Sequence, residues 1–595
     1  MGRLVLAVAA IAAVCAPALA FAAAAQPRAI VDGDLDSALR AEIVTEIGEA
    51  DRPIDNRFEA HRRARDAADA AIAVLRSEGY YAYDVEPQVG DGDAPVPHVR
   101  VTPGPRFTLA RPAIEWVGTA PPAEDEAAAE KALRLKPGAP GRAADVVGAE
   151  GRVVSAMQQK GFADAKAAPR QVIVDHADNT VQPTYRIATG ARVRLDGIQL
   201  TSKGRTNPLW VQGLAPWKPG QTYDPELVAE LERRLLDPGV FNQVTVSLAP
   251  ENETTPDGLR PVVVSLAERK LRSLELGASY ASVEGLGLDL RWIHYNTLGR
   301  ADTLTYFARV SNVDSRLGAT LALPHWRRPA QTLTLDSEAY RSNTPAYDQT
   351  GVLARGDVQR RYGKTSYISA GVSVDLSRTD ELRIGSLTPL GRDIATFALH
   401  GAAYLDRSDD PLDPKRGWRL TINADPTLLA GQGTLPYLGL QTLVTGYLPI
   451  GRAARTVLAG RLHVGSLLNG GSVSDIPASQ RFYAGGGGSV RGFSYQGVGP
   501  RLSDDSTPEG GLSLLEASVE IRQKVIGPWG VAAFVDAGSV GTGKLPDFSN
   551  LSIGAGMGLR YQLPFGPVRV DIATPVSNRQ DASPVQIYVS LGQSF

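Results

Sequence analysis

The side chain with the most chemistry to explain is Arg491, in the stretch RFYAGGGGSVRGFSYQG at residues 481–497. Val490, Arg491, Gly492 and Phe493 follow a glycine run, Gly485, Gly486, Gly487 and Gly488, that lets the backbone bend sharply and approach other chain closely. A guanidinium never loses its proton, so burying it demands carboxylate partners. Two candidate partners, Glu520 and Asp536, lie on the next segments. In LLEASVEIR, period-two alternation puts Glu516, Ser518, Glu520 and Arg522 on one face; in AAFVDAGSV it groups Phe534, Asp536 and Gly538. Folded back, Arg491 could pair with Glu520 and Asp536 through charge-assisted bonds. Left alone, it is an ordinary solvated loop charge.

Other chemistries find little support. GSVGTGKL at 538–545 has the G-x-x-x-x-G-K spacing but lacks the Ser or Thr that holds magnesium, and Pro546 stands where a helix should begin. No G-x-S-x-G elbow is present. The seven histidines are scattered without metal-ligand spacing. The sole cysteine, Cys15, lies in the leader described below, which leaves the remainder without a thiol. A net charge of −2 gives no footprint for nucleic acid. The expectation is a protein that is not an enzyme and needs no cofactor or metal.

What would position Arg491 is a set of β-strands. From Leu271 onward the periodicity is two: in LRSLELGASY, Leu274, Leu276, Ala278 and Tyr280 share a face, and in VQIYVSLGQSF, Val585, Ile587, Val589 and Leu591 do. About sixteen such runs fit between 271 and 595, and an even number suits a closed antiparallel transmembrane barrel. The longest gap between runs, 467–511, holds the glycine-rich loop. In a closed barrel the first and last strands meet. Leu274, Leu276 and Ala278 would face Ile587, Val589, Leu591, Gly592 and Phe595 there, across a seam weakened by Gly592, which packs no side chain. After residues 1–25, no segment reaches about 18 consecutive apolar residues, the length of a membrane-crossing helix.

Residues 27–268 are α+β. Helical segments at 61–77, 144–160 and 225–237 each run into a glycine (Gly79, Gly161, Gly239) that can end the helix in a left-handed turn, and two strands follow. The spacing of roughly 80 residues predicts three copies of one unit, at 27–104, 105–189 and 190–268. Residues 1–25 read as a secretory signal peptide: Arg3, an apolar core from Leu4 to Val14, and a cleavage site at Ala18-Leu19-Ala20 or Ala23-Ala24-Ala25.

The motifs GYYAYDVEP, VTPGPRFTLARPAIEWVG and LERRLLDPGVFNQVTV resemble a string of POTRA domains. RFYAGGGGSVRGF, then ASVEIR, AAFVDAGSV and GLRYQLPFGPVRVDIATPV, resemble the BamA/TamA superfamily of outer-membrane assembly barrels, as does DRSDDPLDPKRGWRL. Three POTRA-like units make the chain most similar to the TamA branch. The resemblance implies POTRA repeats at 26–268 in the periplasm of a Gram-negative cell and an outer-membrane barrel at 269–595. It implies that the 467–511 loop enters the lumen, where Arg491 meets Glu520 and Asp536. It also implies assembly of barrel proteins, including autotransporters, by opening of the seam. The implied partners are unfolded outer-membrane proteins as clients, a TamB-like periplasm-spanning protein and outer-membrane lipid. The alternatives are a two-partner secretion transporter of the FhaC type, a lipid conduit or a passive channel.

Overall fold

The computed structural model describes residues 27–50, 54, 56–91, 95–281, 285–363, 365–382, 388–431, 433–451, 454–469, 471–502, 506–563, 566–577, 584–591, 593 and 595. The expected signal peptide and Gly592 fall outside the described residues.

Local signals account for the N-terminal units. The helix Arg57–Glu78 starts where the Asn56 side chain accepts the Glu59 N–H and stops at Gly79, φ +93°. Ala60, Ala64, Ala67, Ala71 and Leu75 form its buried stripe, at helical spacings of three and four. Part of that stripe packs on Val99 and Val101 of Pro97–Thr102. This is the middle strand of a three-stranded sheet, parallel to Ile30–Asp32 and antiparallel to Asp84–Val89. The second unit repeats the design: Ala143–Gln159 sets Val146, Ala149, Val153 and Met157 against Val181, Tyr185 and Ile187. A third sheet orders Leu195–Leu200, Arg260–Glu268 and Phe241–Leu248. Each unit also contains a helix with a weaker sequence signal: Ser37–Ile47, Ala123–Leu133 and Pro208–Gln212.

The chain divides into two compact bodies. One is built on the first two units. The other holds the barrel together with residues 197–216, 228–249 and 261–268.

The barrel sheet has sixteen strands in sequence order, from Arg272–Ala281 to Gln586–Leu591, every neighbouring pair antiparallel. Leu276, Val372, Leu399 and Ile587 point outward and are more than half exposed, an apolar face suited to hydrocarbon. The alternate positions turn polar groups into the lumen. The first strand has ten residues and the last only six. They lie alongside one another, with no hydrogen-bonded ladder between them among the described residues.

Within this body, residues of the third unit are seated on the barrel turns. The Glu268 carboxylate accepts the Arg205 and Thr206 N–H groups at 2.7 and 2.9 Å, and the Asn296 side-chain amide at 3.2 Å. A second seat is His325, in the turn before Gln331–Asn343. Its Nε2 lies 2.8 Å from Arg234 O, and its Nδ1 accepts the Ala330 N–H at 3.1 Å. Nδ1 can accept only if unprotonated, so Nε2 carries the hydrogen and the ring is neutral. Burial holds the His325 pKa below its usual 6.5, outweighing the Arg234 carbonyl. The unfolded chain therefore takes up this proton first as pH falls. The His325 contribution is intact above 6.5 and is lost as pH drops through the lowered value. Thermal unfolding followed from pH 7.5 to 5 is expected to show a smaller loss of stability in His325→Gln than in the unsubstituted protein.

Candidate functional site: a buried arginine in the barrel lumen

The long connection between Thr456–Leu468 and Ser513–Ile526 folds inward. Isolated bridges Phe482–Gly511 and Ala484–Val498 hold its shape. Ala484, Val490, Phe493 and Val498 pack with Leu514 and Val540 of the barrel wall. Gly485 and Gly486 take left-handed φ values of +109° and +103°, whereas Gly487 and Gly488 do not.

Arg491, at the tip, is only 2 % exposed. Its Nε donates to Asp536 Oδ2 at 2.7 Å and its Nη2 to Asp536 Oδ1 at 3.0 Å, a bidentate pair. Nη1 donates to Glu520 Oε2 at 2.8 Å and to Asp571 Oδ2 at 3.2 Å; Nη2 also reaches Ser518 Oγ at 3.4 Å. These five contacts match the five N–H donors of a guanidinium. The Arg491 backbone N–H adds a sixth bond, to Asp536 Oδ2 at 3.0 Å. The guanidinium carbon sits 3.3 Å from the centroid of the Phe534 ring, a stacked cation–π contact.

Arg491, Glu520 and Asp536, nominated from separate motifs, are thus brought together. Asp571 was not nominated. Its signal was the polar face it shares with Arg569 in PVRVDIATP, but that segment lies 80 residues beyond Arg491 and carries no motif that points back to it. Three more arginines complete the cluster. Arg522 Nε donates to Glu520 at 2.9 Å, Arg560 contacts Glu520 and Asp571, and Arg569 lies 3.5 Å from Asp571. Four guanidiniums therefore face three carboxylates. One isolated pair would not offset its desolvation, whereas a network that satisfies every donor of its central arginine can.

Backbone placement matters as much as charge. Gly492, at φ +102°, donates its N–H to Tyr588 OH at 3.1 Å, and Tyr588 OH donates to Phe493 O at 2.8 Å. Tyr588 belongs to the last strand, so the loop is bonded directly to one side of the seam. Gly554 lies beneath: a Cβ there would stand 1.8 Å from Arg491 O.

Of the residues expected at the seam, Leu274, Leu276 and Ile587 face outward and exposed, Val589 is half-buried, and Leu591 pairs with Val568. Ala278 lies in the first strand. Phe595 is different. Period two would continue it along the outer face, but its ring packs on Tyr447, Val457 and Ala459. Arg522 Nη2 donates to Phe595 O at 3.1 Å, with the guanidinium 5.2 Å from the ring centroid. A lumenal arginine, offering both a donor and a cationic face, draws this residue off the seam.

A sixteen-stranded barrel preceded by α/β units, with a lumenal loop locked on strand carboxylates, defines an outer-membrane barrel of the POTRA-bearing class. Residues 296–595 match the Omp85 superfamily domain, and the chain belongs to that superfamily. It is 23 % identical to the outer membrane protein assembly factor BamA of Neisseria meningitidis serogroup B, across 91 % of this chain and 74 % of that one. BamA of Neorickettsia risticii is also 23 % identical, over 67 % of this chain and 54 % of its own length. The crystal structure of Haemophilus ducreyi BamA lacking POTRA domains 1–3 superposes with a TM-score of 0.70 at 18 % identity, covering 82 % of this chain and 100 % of that one; at this identity the likeness concerns the fold. The chain is an outer-membrane protein with periplasmic POTRA domains.

Proposed function

We propose that this protein assembles other β-barrels into the outer membrane by lateral opening between its first and last strands. The observation that carries the reading is the seam: ten residues face six with no ladder among the described residues, while every other neighbouring pair of strands is joined by one. An unpaired edge is a template for another strand, and a client's strand could add there through main-chain bonds. The POTRA units would hand over unfolded clients, autotransporters among them, or dock a TamB-like partner that spans the periplasm; outer-membrane lipid would meet the opened seam. Arg491 and its carboxylates would brace the wall next to the moving edge. The BamA names of the two relatives support assembly as the activity, and the inward loop disfavours a passive channel.

The test is a cysteine pair, one in Arg272–Ala281 and one in Gln586–Leu591, in a chain whose only native cysteine is Cys15. Oxidation is expected to stop insertion of a client barrel into vesicles at least ~10-fold, and reduction to restore it. Undiminished insertion with the bond closed would sink lateral opening.

A further inference from the structure

Away from the latch, three neighbouring strands bring together a serine, a histidine and an aspartate that no single motif links. Ser373 lies in Ser366–Glu381, His400 in Leu390–Asp406 and Asp425 in Gly417–Ala430. The flanking Val372, Val374 and Leu399 are exposed outward, so Ser373 and His400 face the lumen. Ser373 Oγ is 2.7 Å from His400 Nε2, and His400 Nδ1 is 2.8 Å from Asp425 Oδ1. A carboxylate can only accept, so Nδ1 carries the hydrogen and Nε2 is free to accept the serine proton. This is the nucleophile–base–orienter order of a hydrolytic triad, which is recognised by geometry and not by chain position.

Two further features suit a site. Between the eighth and ninth strands the ladder runs through Ala398–Thr427 and resumes at Gly401–Ala424; it omits Leu399 and His400, which stand opposite Pro426, a residue with no N–H, and Asp425. Thr396 shares the lumenal face of His400, two positions from Ala398, which is the register partner of Ser373. Its hydroxyl is buried, 6 % exposed as a residue, and has no partner among the described residues. Thr396 stands opposite Asp375, two residues along the strand from Ser373.

We propose that Ser373, His400 and Asp425 hydrolyse a carboxylic ester that enters the lumen, an activity separate from barrel assembly and contrary to the non-enzymatic expectation of the sequence. Ser373 Oγ adds to the ester carbonyl as its proton passes to His400 Nε2, and Asp425 holds the resulting imidazolium. The ester C–O bond breaks, and His400 returns the proton to the departing alkoxide, which leaves as alcohol. Water then gives a proton to His400 and attacks the acyl-serine; the carboxylic acid departs and Ser373 regains its hydrogen. The sum is ester plus water to acid plus alcohol. Ala398, the register partner of Ser373, presents only a methyl group beside the nucleophile.

The test uses the full chain in detergent micelles, with a fluorophosphonate probe and p-nitrophenyl butyrate. The expected result is a covalent adduct on the Ser373 peptide by mass spectrometry, and butyrate release that is lost in Ser373→Ala. His400→Gln should slow both by ~100-fold or more, and Asp425→Asn by at least ~10-fold. Ser373→Ala leaves the His400–Asp425 pair intact, and heat-modifiable gel mobility checks that each barrel is folded. A folded protein with no adduct on Ser373, or ester hydrolysis unchanged in Ser373→Ala, would overturn the proposal. Either result leaves the assembly reading untouched.

Discussion

Replacing Arg491 with alanine is expected to cost about 3–5 kcal/mol of barrel stability, the usual consequence of removing one partner from a buried ion network. Glu520, Asp536 and Asp571 are each no more than 1 % exposed, and all three lose a donor at once. Asp536 suffers most, because Arg491 supplies three of its bonds. Glu520 and Asp571 keep Arg522, Arg560 and Arg569 as neighbours. Two variants separate charge from shape. Arg491→Lys keeps the charge but has no planar fork for the bidentate grip on Asp536, so most of the loss should persist. Asp536→Asn in the Arg491→Ala background removes the most exposed debt, and a recovery of about 0.5–3 kcal/mol would measure the coupling. Heat-modifiable mobility reports barrel stability, hydrogen exchange at residues 481–497 reports the loop, and client insertion reports function. An Arg491→Ala protein with a protected loop and full insertion would defeat the latch.

The barrel was legible because its forces act locally and repeat: alternation between hydrocarbon and lumen marks each strand, and Gly, Pro, Asn and Asp mark the turns. About sixteen strands were expected, and the described residues form sixteen. Helix limits were legible for the same reason; Gly79 ends its helix where a left-handed residue was expected. Short helices such as Pro208–Gln212 were not, since five residues carry too little periodicity. At the candidate site, Glu520 and Asp536 could be paired with Arg491 because each sits on a polar face close in sequence to the loop. Asp571 required knowledge of how far the barrel curves, which is a property of register and not of any one segment. Phe595 went astray because alternation says nothing of a lumenal arginine able to draw a terminal aromatic inward. The Ser373–His400–Asp425 array was invisible for a related reason. Its members are 27 and 25 residues apart on three strands, and only the shear of the sheet aligns them.

Gly554→Ala is expected to reproduce the Arg491→Ala phenotype while leaving every charge in place. The added Cβ would stand 1.8 Å from Arg491 O and 3.0 Å from Arg491 C, backbone atoms that no rotamer change can move aside. The strand beneath has no freedom either: Gly554 is register partner to Asp536 on one side and Pro575 on the other. The loop must therefore rise, and a rise of 1 Å or more lengthens the Arg491–Asp536 contacts beyond hydrogen-bond reach. Overpacking of this kind typically costs about 1–3 kcal/mol, less than outright loss of the guanidinium, because the cation can still attract the carboxylates at longer range. Loop protection in hydrogen exchange should fall, and with it the hold of Gly492 and Phe493 on Tyr588 of the last strand. If the latch governs the seam through that tyrosine, Gly554→Ala and Tyr588→Phe should both loosen the closed state, read as faster cross-linking of seam cysteines to a client strand. Normal loop protection in Gly554→Ala would mean that close backbone contact is incidental and that the charge network alone holds the loop.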